Sequence, residues 1–296
     1  MDKIFANKKV LKNFIITIIS ILLLLAALRF FVLPINSWNE KLNLEIISFI
    51  DKFSTSVITA VIVGAFMYQL QKDEKRKLIE FTNSSPQIED KLDKSRKECE
   101  NWKFNGGLGR YTRYKTIPKL SKIASKKRET LKLEIILLNP ENDSLLSKYI
   151  DFRNSLSTEI NWSKDFVRNE ILATIIKAST TLKHNQFLEI EIYLKDFFTL
   201  SRMDISNTQA IITREDPLIP SIICYNDSYM YKHYKEEYQQ VKRQSKKLII
   251  KEEEQINEIN EENIIQFITH ICPNLKLEKK DIQTISNNID GQKNPF

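Results

Sequence analysis

A glycine-rich turn is the stretch of this chain whose composition most clearly suggests a binding site. It follows a short alternating segment, Asn101–Asn105, and it holds three of the five glycines in the sequence. A strand, a glycine-rich turn and a helix N-terminus often present backbone N–H groups to an anion, and nearby arginines add positive charge. The candidate ligand- or partner-binding residues of the turn are Gly106, Gly107, Gly109, Arg110 and Arg113.

The same glycines also have a purely structural interpretation. The turn matches neither the dinucleotide-binding GxGxxG pattern nor a P-loop with its Lys-Ser/Thr pair. A tight turn that requires a positive φ angle explains glycine equally well. The sequence therefore leaves both interpretations open.

Two carboxylates complete the set of candidate binding residues. Asp204 and Asp227 lie beside predicted strand ends, where α/β folds place their sites. Glu189 and Glu191 share one face of a strand and alternate with apolar residues, so we expect both to face solvent.

The residues required by common catalytic sites are sparse. The chain has three histidines, His184, His233 and His270, each at or inside a predicted helix, and it has no GxSxG motif. Its cysteines are scattered and form no CxxC or Cys/His cluster, so a structural zinc site is not supported. We therefore expect no catalytic set, no metal and no cofactor.

The elements that would position the candidate residues alternate between strand and helix. Apolar alternation predicts strands over 101–105, 131–138, 187–194, 207–213 and 221–225. Capping residues and apolar periodicity predict helices over 116–127, 142–156, 164–183, 228–254 and 262–271. This order predicts an α/β cytosolic domain with a mixed sheet over 101–250, followed by C-terminal helices and a frayed tail over 251–296.

Two apolar runs precede this domain. Phe14–Leu33 contains one charge, Phe53–Leu70 contains none, and both are long enough for a hydrocarbon core of about 30 Å. The segment after the first run is not a small-x-small cleavage site, so a retained N-terminal transmembrane helical hairpin over 1–70 is predicted rather than a signal peptide.

The charges around the runs predict an orientation. Lysines and arginines flank the outer ends of both runs, whereas the loop between them is mixed in charge, so both termini are expected to be cytoplasmic in a bacterial inner membrane. These flanks also explain much of the formal net charge of +7. Residues 71–100 are densely charged and predict a helical connector, broken near Ser84-Ser85-Pro86.

Small and hydroxylated residues in the second run predict a packing face. Spans associate through such residues, either within one chain or between chains of a homo-oligomer. A charge near the end of a span can reach the interface and is a functional candidate. The membrane-seam candidates are Arg29, Ser56, Thr59, Ala60 and Gly64.

Part of the cytosolic domain resembles a phospholipase D-like half-domain. Residues 203–247 are predicted as a turn, two strands and a long helix, and they contain His233-Tyr234-Lys235. The family's His-x-Lys motif is followed four residues later by Asp, where this chain has Gln240, and the stretch is predicted as helix. The resemblance therefore implies a catalytically degenerate version used for binding.

The whole architecture resembles the two-helix transmembrane effectors encoded beside bacterial retrons and related anti-phage systems. Two spans, a charged connector, the Trp-x-Phe-x-Gly-Gly-x-Gly-Arg turn and a Leu-Leu-Asn-Pro strand end carry this resemblance. It implies an effector held silent by a reverse transcriptase with its RNA–DNA hybrid, and released to damage the lipid bilayer.

The expected function is accordingly a toxic membrane effector with a sensing or partner-binding cytosolic domain. Two other classes remain open. A membrane-tethered phosphodiesterase would depend on Arg110, Asp204 or Asp227, and a ligand-gated sensor would bind a nucleotide at the glycine-rich turn. The basic, aromatic segment Tyr229–Lys247 is typical of nucleic-acid contact or of a solvated amphipathic helix.

Overall fold

A computed structural model describes residues 8–27, 40–74, 78–156, 162–216 and 219–290. The chain divides into two compact units, Met1–Arg76 and Lys77–Phe296. Described residues of the first unit form helices α1, Lys8–Ala27, and α2, Glu40–Glu74.

One stretch of α2 is long and apolar enough to cross a membrane. It covers the 21 residues Leu44–Gly64 and begins earlier than the predicted run 53–70. The apolar part of α1, Ile16–Ala27, is shorter, and the predicted run 14–33 continues beyond the described residues. The described part of the chain therefore contains one candidate span, and a second one remains a prediction.

Two hydroxyl groups on α2 donate hydrogen bonds to carbonyl groups of the same helix. Thr55 Oγ1 donates to the Asp51 carbonyl and Ser56 Oγ to the Lys52 carbonyl, each at 2.8 Å. Such bonds to the preceding turn permit hydroxylated residues in apolar surroundings. Of the predicted seam residues, Ser56, Thr59 and Ala60 are exposed and Gly64 is half-buried, while Arg29 lies outside the described residues.

The second unit is built on one eight-stranded mixed sheet with the order β1-β7-β6-β5-β2-β3-β4-β8. The parallel strands β2, β3 and β4 lie together, and the remaining neighbours pair antiparallel. The strands are β1 Ile79–Thr82, β2 Asn101–Asn105, β3 Leu131–Leu138, β4 Leu188–Lys195, β5 Ser201–Ile205, β6 Gln209–Arg214, β7 Ser221–Tyr225 and β8 Lys246–Leu248.

Helices cover both faces of this sheet. Most of them share one apolar core with β3 and β4, whereas α7 packs on the opposite face through Tyr231, Tyr238 and Val241. The helices are α3 Ser85–Glu98, α4 Ile117–Lys127, α5 Asp143–Ser155, α6 Lys164–His184, α7 Tyr229–Arg243, α8 Glu261–Ile271 and α9 Lys279–Asp290.

Capping explains where α5 and α6 begin. The Asn142 side chain accepts from Leu145 N, and the Ser163 side chain accepts from Phe166 N, as predicted from their positions before the apolar periodicity. The helix after the glycine-rich turn begins earlier than predicted. A π-helical segment, Thr112–Thr116, precedes α4, so no helix cap forms at Thr116.

The connector predicted as helical over 71–100 contains a strand. Leu78, Ile79 and Phe81 continue the helical spacing of α2 in sequence, but β1 pairs antiparallel with β7, with Phe81 opposite Ile222. Pairing with a distant strand thus overrides the local periodicity. Of the described residues in the predicted connector, 71–74 belong to α2 and 85–98 form α3, and the compact unit extends to the N-terminal side of residue 101.

Three further elements differ from the prediction. The short strand β5 was not predicted, and α7 ends at Arg243 instead of 254 because the chain turns into β8, which pairs with β4. Residues 286–290, predicted as frayed, belong to α9, whose apolar side chains Ile282, Ile285 and Ile289 are buried.

Candidate ligand-binding cavity

A cavity of about 250 Å³ lies beside the glycine-rich turn, at the end of β2. This position, at the carboxyl end of a parallel strand, is where α/β folds commonly place their sites. Side chains of α3, α5, β5 and β6 complete the wall. The polar and charged side chains that line it are Asn83, Ser85, Arg110, Arg153, Arg202, Asp204, Thr213, Arg214, Glu215, Asp216 and Ser221.

Packing accounts for the three glycines of the turn. Gly109 has a φ of 72°, which L side chains rarely adopt. A Cβ on Gly107 would lie 2.8 Å from Tyr149 Oη, and one on Gly106 would overlap the ring of Phe104. Protein side chains therefore fill the space that the missing Cβ atoms leave. The structural interpretation of the turn explains these glycines without a ligand.

The two arginines after the turn have different environments. Arg113 is fully buried, and its Nη2 donates to the Glu170 carboxylate at 2.5 Å. Arg110 remains partly exposed at the cavity, its Nε lies 3.6 Å from the same carboxylate, and its guanidinium faces the Phe166 ring. Arg113 thus connects the turn to α6. Of the two arginines, only Arg110 lines the cavity.

A buried ion pair forms part of the cavity wall. Arg153 of α5 pairs with the Glu215 carboxylate, and its guanidinium stacks 4.2 Å from the centre of the Trp162 ring. The Tyr149 hydroxyl lies 3.5 Å from Glu215 Oε1. Burial, with the negative charge of Glu215, raises the pKa of Tyr149, so this hydroxyl stays protonated. The Arg153 Nε is buried without a hydrogen-bond acceptor.

Two further arginines reach the cavity from β5 and β6. Arg202 Nε donates to Thr213 Oγ1 at 3.1 Å. Within the described part of the chain, neither Arg202 nor Arg214 has a carboxylate within ion-pair distance. The two guanidinium groups therefore offer N–H donors and positive charge that no described carboxylate directly neutralises.

Asp204 is buried at the base of this group. Trp102 Nε1 donates to its Oδ1 at 3.1 Å. Burial raises the pKa of Asp204 to about 6, although the positive charges of Arg96 and Arg202 oppose that shift. A carboxyl group with this pKa changes charge just below neutral pH, near the cavity arginine Arg202. It can therefore accept or release a proton when an anion enters.

A second buried titratable group lies at the end of β4. Lys195 is 1% exposed, and its Nζ donates to Asn105 Oδ1 at 2.6 Å. Burial lowers the pKa of Lys195 to about 7, opposed by the negative charge of Glu215. An amine that is only partly protonated at pH 7 thus lies at the strand ends of β2 and β4, close to the charged cavity wall.

Histidine and cysteine do not contribute to the cavity lining. His233 and Lys235 lie on α7, so the stretch that resembles a His-x-Lys motif is helical, as predicted. The three cysteines are buried, and burial raises the pKa of Cys99 to about 11 and that of Cys272 to about 12. No group of three or more potential metal-ligating side chains occurs in the described residues.

The structure brings together only part of the predicted site. Gly107, Gly109, Arg110 and Asp204 line one cavity, whereas Asp227 is exposed after β7 and does not line it. Gly106 packs against the Phe104 ring, and the Arg113 side chain bonds to Glu170, so neither residue lines the cavity. Sequence reasoning missed the following cavity or neighbouring residues, whose only sequence signal is a place at the end of a strand or on a capped helix: Tyr149, Arg153, Lys195, Arg202, Arg214 and Glu215.

Comparisons with known proteins give a distant structural likeness. No protein-family model matches the chain, and no curated protein sequence matches it. Among solved structures, the chain is similar to Nuc, a phospholipase D family member from Salmonella typhimurium. That match has 10% sequence identity and a TM-score of 0.30, and it covers 57% of this chain and 95% of Nuc.

Proposed function

We propose that this chain is a membrane-anchored effector of a bacterial anti-phage system that disrupts the inner membrane when it is released or clustered. The observation that carries the proposal is the apolar stretch Leu44–Gly64 of α2. Its large side chains, including Ile58, Ile62 and Val63, are exposed, as expected for a helix that contacts lipid or other helices.

In this proposal the two N-terminal helices form a hairpin with both ends in the cytoplasm, and the second unit controls it. Ser56, Thr59, Ala60 and Gly64 supply small or hydroxylated surface for a seam between protomers. In the sequence, Arg29 falls near the end of the predicted run 14–33. A reverse transcriptase with its RNA–DNA hybrid is the proposed inhibitory partner, in accordance with the resemblance to retron effectors.

Expression of the full chain alone is expected to collapse the membrane potential of a bacterial host, measured with a voltage-sensitive dye. Gly64→Ile is expected to abolish most of that effect, because it adds a large side chain on the small-residue face of α2, where no described side chain outside the immediate neighbours lies within 4 Å of the added Cβ. A loss would therefore reflect packing against another chain or against the undescribed part of the first run. Val63→Ile, at the neighbouring exposed position, is the matched control and should depolarise the host as the unmodified chain does.

Two results would contradict this proposal. A host that keeps its potential despite confirmed membrane insertion of the chain would exclude the toxic effector. Equal depolarisation by Gly64→Ile and the unmodified chain would exclude a protomer seam at Gly64 while leaving the toxicity intact.

A ligand-gated sensor is a second candidate, favoured by the cavity arginines. Among the described residues, Arg202 and Arg214 have no carboxylate at ion-pair distance, and the buried Nε of Arg153 has no hydrogen-bond acceptor. Arginine pairs with phosphate through parallel N–H···O bonds. The cavity is at the small end of ligand sites, which suits a mononucleotide or another compact phosphate ester.

Nucleoside monophosphates are expected to stabilise the full chain in detergent or nanodiscs. Ligand at 100 times its Kd adds about 2.7 kcal/mol to the free energy of unfolding, which thermal unfolding detects. Arg202→Gln with Arg214→Gln should remove the shift, while Lys122→Gln at an exposed site on α4 should keep it. No shift with any nucleotide would contradict the sensor. Hydrolysis of a phosphodiester, such as a cyclic nucleotide, would identify the phosphodiesterase instead.

A further inference from the structure

The two edges of the sheet are protected to different degrees. The edge strand β8 carries Lys246 and Lys247, both exposed, and charged residues of this kind discourage pairing with another strand. The other edge strand, β1, has the sequence Ile-Glu-Phe-Thr, without lysine or proline. Its single charge, Glu80, pairs with Lys91 at 2.8 Å. The β1 edge therefore lacks the usual protection.

Apolar side chains are exposed along β1. Phe81 is 69% exposed and Ile79 is 38% exposed. Both project to the same face of the sheet, because residues two apart in a strand share a face. A phenyl ring and a branched side chain on an open edge strand are unfavourable in water, so this edge has the character of an interaction surface.

The pairing of β1 with β7 determines which backbone groups remain open. Tyr225 N donates to the Leu78 carbonyl at 3.0 Å, and Leu78 is therefore a hydrogen-bonded position of this antiparallel pair. Such positions alternate, so the backbone groups of Glu80 and Thr82 point towards β7. Those of Ile79 and Phe81 point outwards. The free edge thus offers two N–H and two C=O groups at apolar residues.

We propose that β1 pairs antiparallel with β1 of a second copy of this chain, about a two-fold axis at Glu80. This register places Ile79 opposite Phe81 of the second copy and Phe81 opposite its Ile79. Both pairs are hydrogen-bonded through their outward backbone groups, giving four N–H···O bonds. The dimer contains one continuous sheet of sixteen strands, eight from each chain.

A second copy fits this edge because the strand is complementary to itself. Glu80 is the middle residue of the extended segment 78–82, so the register pairs all five residues. The one like-charge contact, Glu80 with Glu80, is compensated because each carboxylate has Lys91 beside it. Opposed apolar side chains stabilise neighbouring strands. An isologous two-fold contact also leaves no open end for further growth at β1.

The position of β1 in the chain favours the same partner. It begins five residues after α2 ends, so chains anchored in one membrane carry their β1 strands close to the same surface. Pairing there brings the two α2 helices near one another. The inference does not depend on toxicity, since the dimer forms whether or not the helices damage the membrane.

Disulfide crosslinking of the full chain in isolated membranes tests this register. Glu80 lies opposite itself at a non-hydrogen-bonded position, where Cα atoms are about 4.5 Å apart, within disulfide range. Thr82 lies opposite Leu78, so two copies of residue 82 are about 13 Å apart along the strands. Copper-phenanthroline oxidation of Glu80→Cys should therefore give at least tenfold more covalent dimer than Thr82→Cys. The native cysteines are buried and provide the background.

Two outcomes would overturn the inference. One is the absence of dimer with Glu80→Cys, as expected if β1 contacts the bilayer instead. The other is equal dimer with Glu80→Cys and Thr82→Cys, which indicates random collision. If Glu80→Cys fails to fold, co-expression of Ile79→Cys and Phe81→Cys chains tests the same register and should give the mixed dimer. Adding Phe81→Lys to Glu80→Cys should reduce crosslinking, because it places a charge on the open edge.

Discussion

Glu170→Ala is expected to lower the free energy of unfolding of the full chain by about 3–5 kcal/mol. Glu170 is the acceptor shared by buried Arg113 and by Arg110, and Asn288 of α9 donates to its Oε1 at 3.1 Å. Its removal leaves the guanidinium of Arg113, fully buried, without a counter-charge. The loss is large because the charge cannot reach water without opening the contact between the glycine-rich turn and α6. Urea unfolding followed by tryptophan fluorescence measures it.

Two further variants separate a buried charge from a missing contact. Glu170→Leu combined with Arg113→Met removes both charges, so the double variant should be more stable than Glu170→Ala. Asp90→Ala breaks the exposed pair of Asp90 with Lys94 and should change the free energy of unfolding by less than about 0.5 kcal/mol. If Glu170→Ala were as mild as Asp90→Ala, the buried charge cluster would not stabilise the fold.

The stability of the chain is expected to depend on Lys195 between about pH 7 and pH 10. The folded state releases the Lys195 proton near pH 7, whereas an unfolded lysine keeps it to above pH 10. The unfolded state therefore binds more protons in this interval, and the lysine contribution to the free energy of unfolding rises by about 1.4 kcal/mol per pH unit. Lys195→Met should remove this contribution and stabilise the chain at pH 7 by ~3 kcal/mol.

The difference between Lys195→Met and the unmodified chain isolates this lysine. Burial raises the pKa of Cys99 to about 11 and that of Tyr111 to about 12, and both groups oppose the lysine. The opposing contribution of Cys99 begins at about pH 8 and that of Tyr111 at about pH 10. Both contribute equally to the two proteins and cancel in the difference. Lys122→Met, at an exposed site, should follow the unmodified chain. If the free energies of unfolding of Lys195→Met and the unmodified chain changed in parallel with pH, the pKa of Lys195 would not be lowered by burial.

Local sequence patterns were sufficient for the central strands and for the capped helices. Strand β4 alternates in polarity along its length, β3 alternates and then becomes continuously apolar, and asparagine and serine begin α5 and α6 as predicted. Shorter elements depend on their partners. Strand β1 has the spacing of a continuing helix and becomes a strand only because β7 pairs with it, while β5 is five residues between two turns.

The sequence predicted those residues of the candidate site that lie in one segment or beside a predicted strand end. The turn and Arg110 are adjacent in sequence, and Asp204 was found from its place near a strand end. Arg153 and Arg202 join them because helix packing and strand order bring distant segments together. Arg113 was predicted as a binding residue, but its partner Glu170 lies 57 positions away on α6, and no local pattern reveals that pairing.

The pairing of β1 with β7 also constrains how the chain folds as it is synthesised. Strand β1 leaves the ribosome before the other strands, but its only strand partner within the described residues is the seventh in chain order. Contacts between segments so distant form late, because they must close a long loop. Until β7 is synthesised, both edges of the nascent β1 are open. Strand β1, the first to be synthesised, is thus among the last to pair.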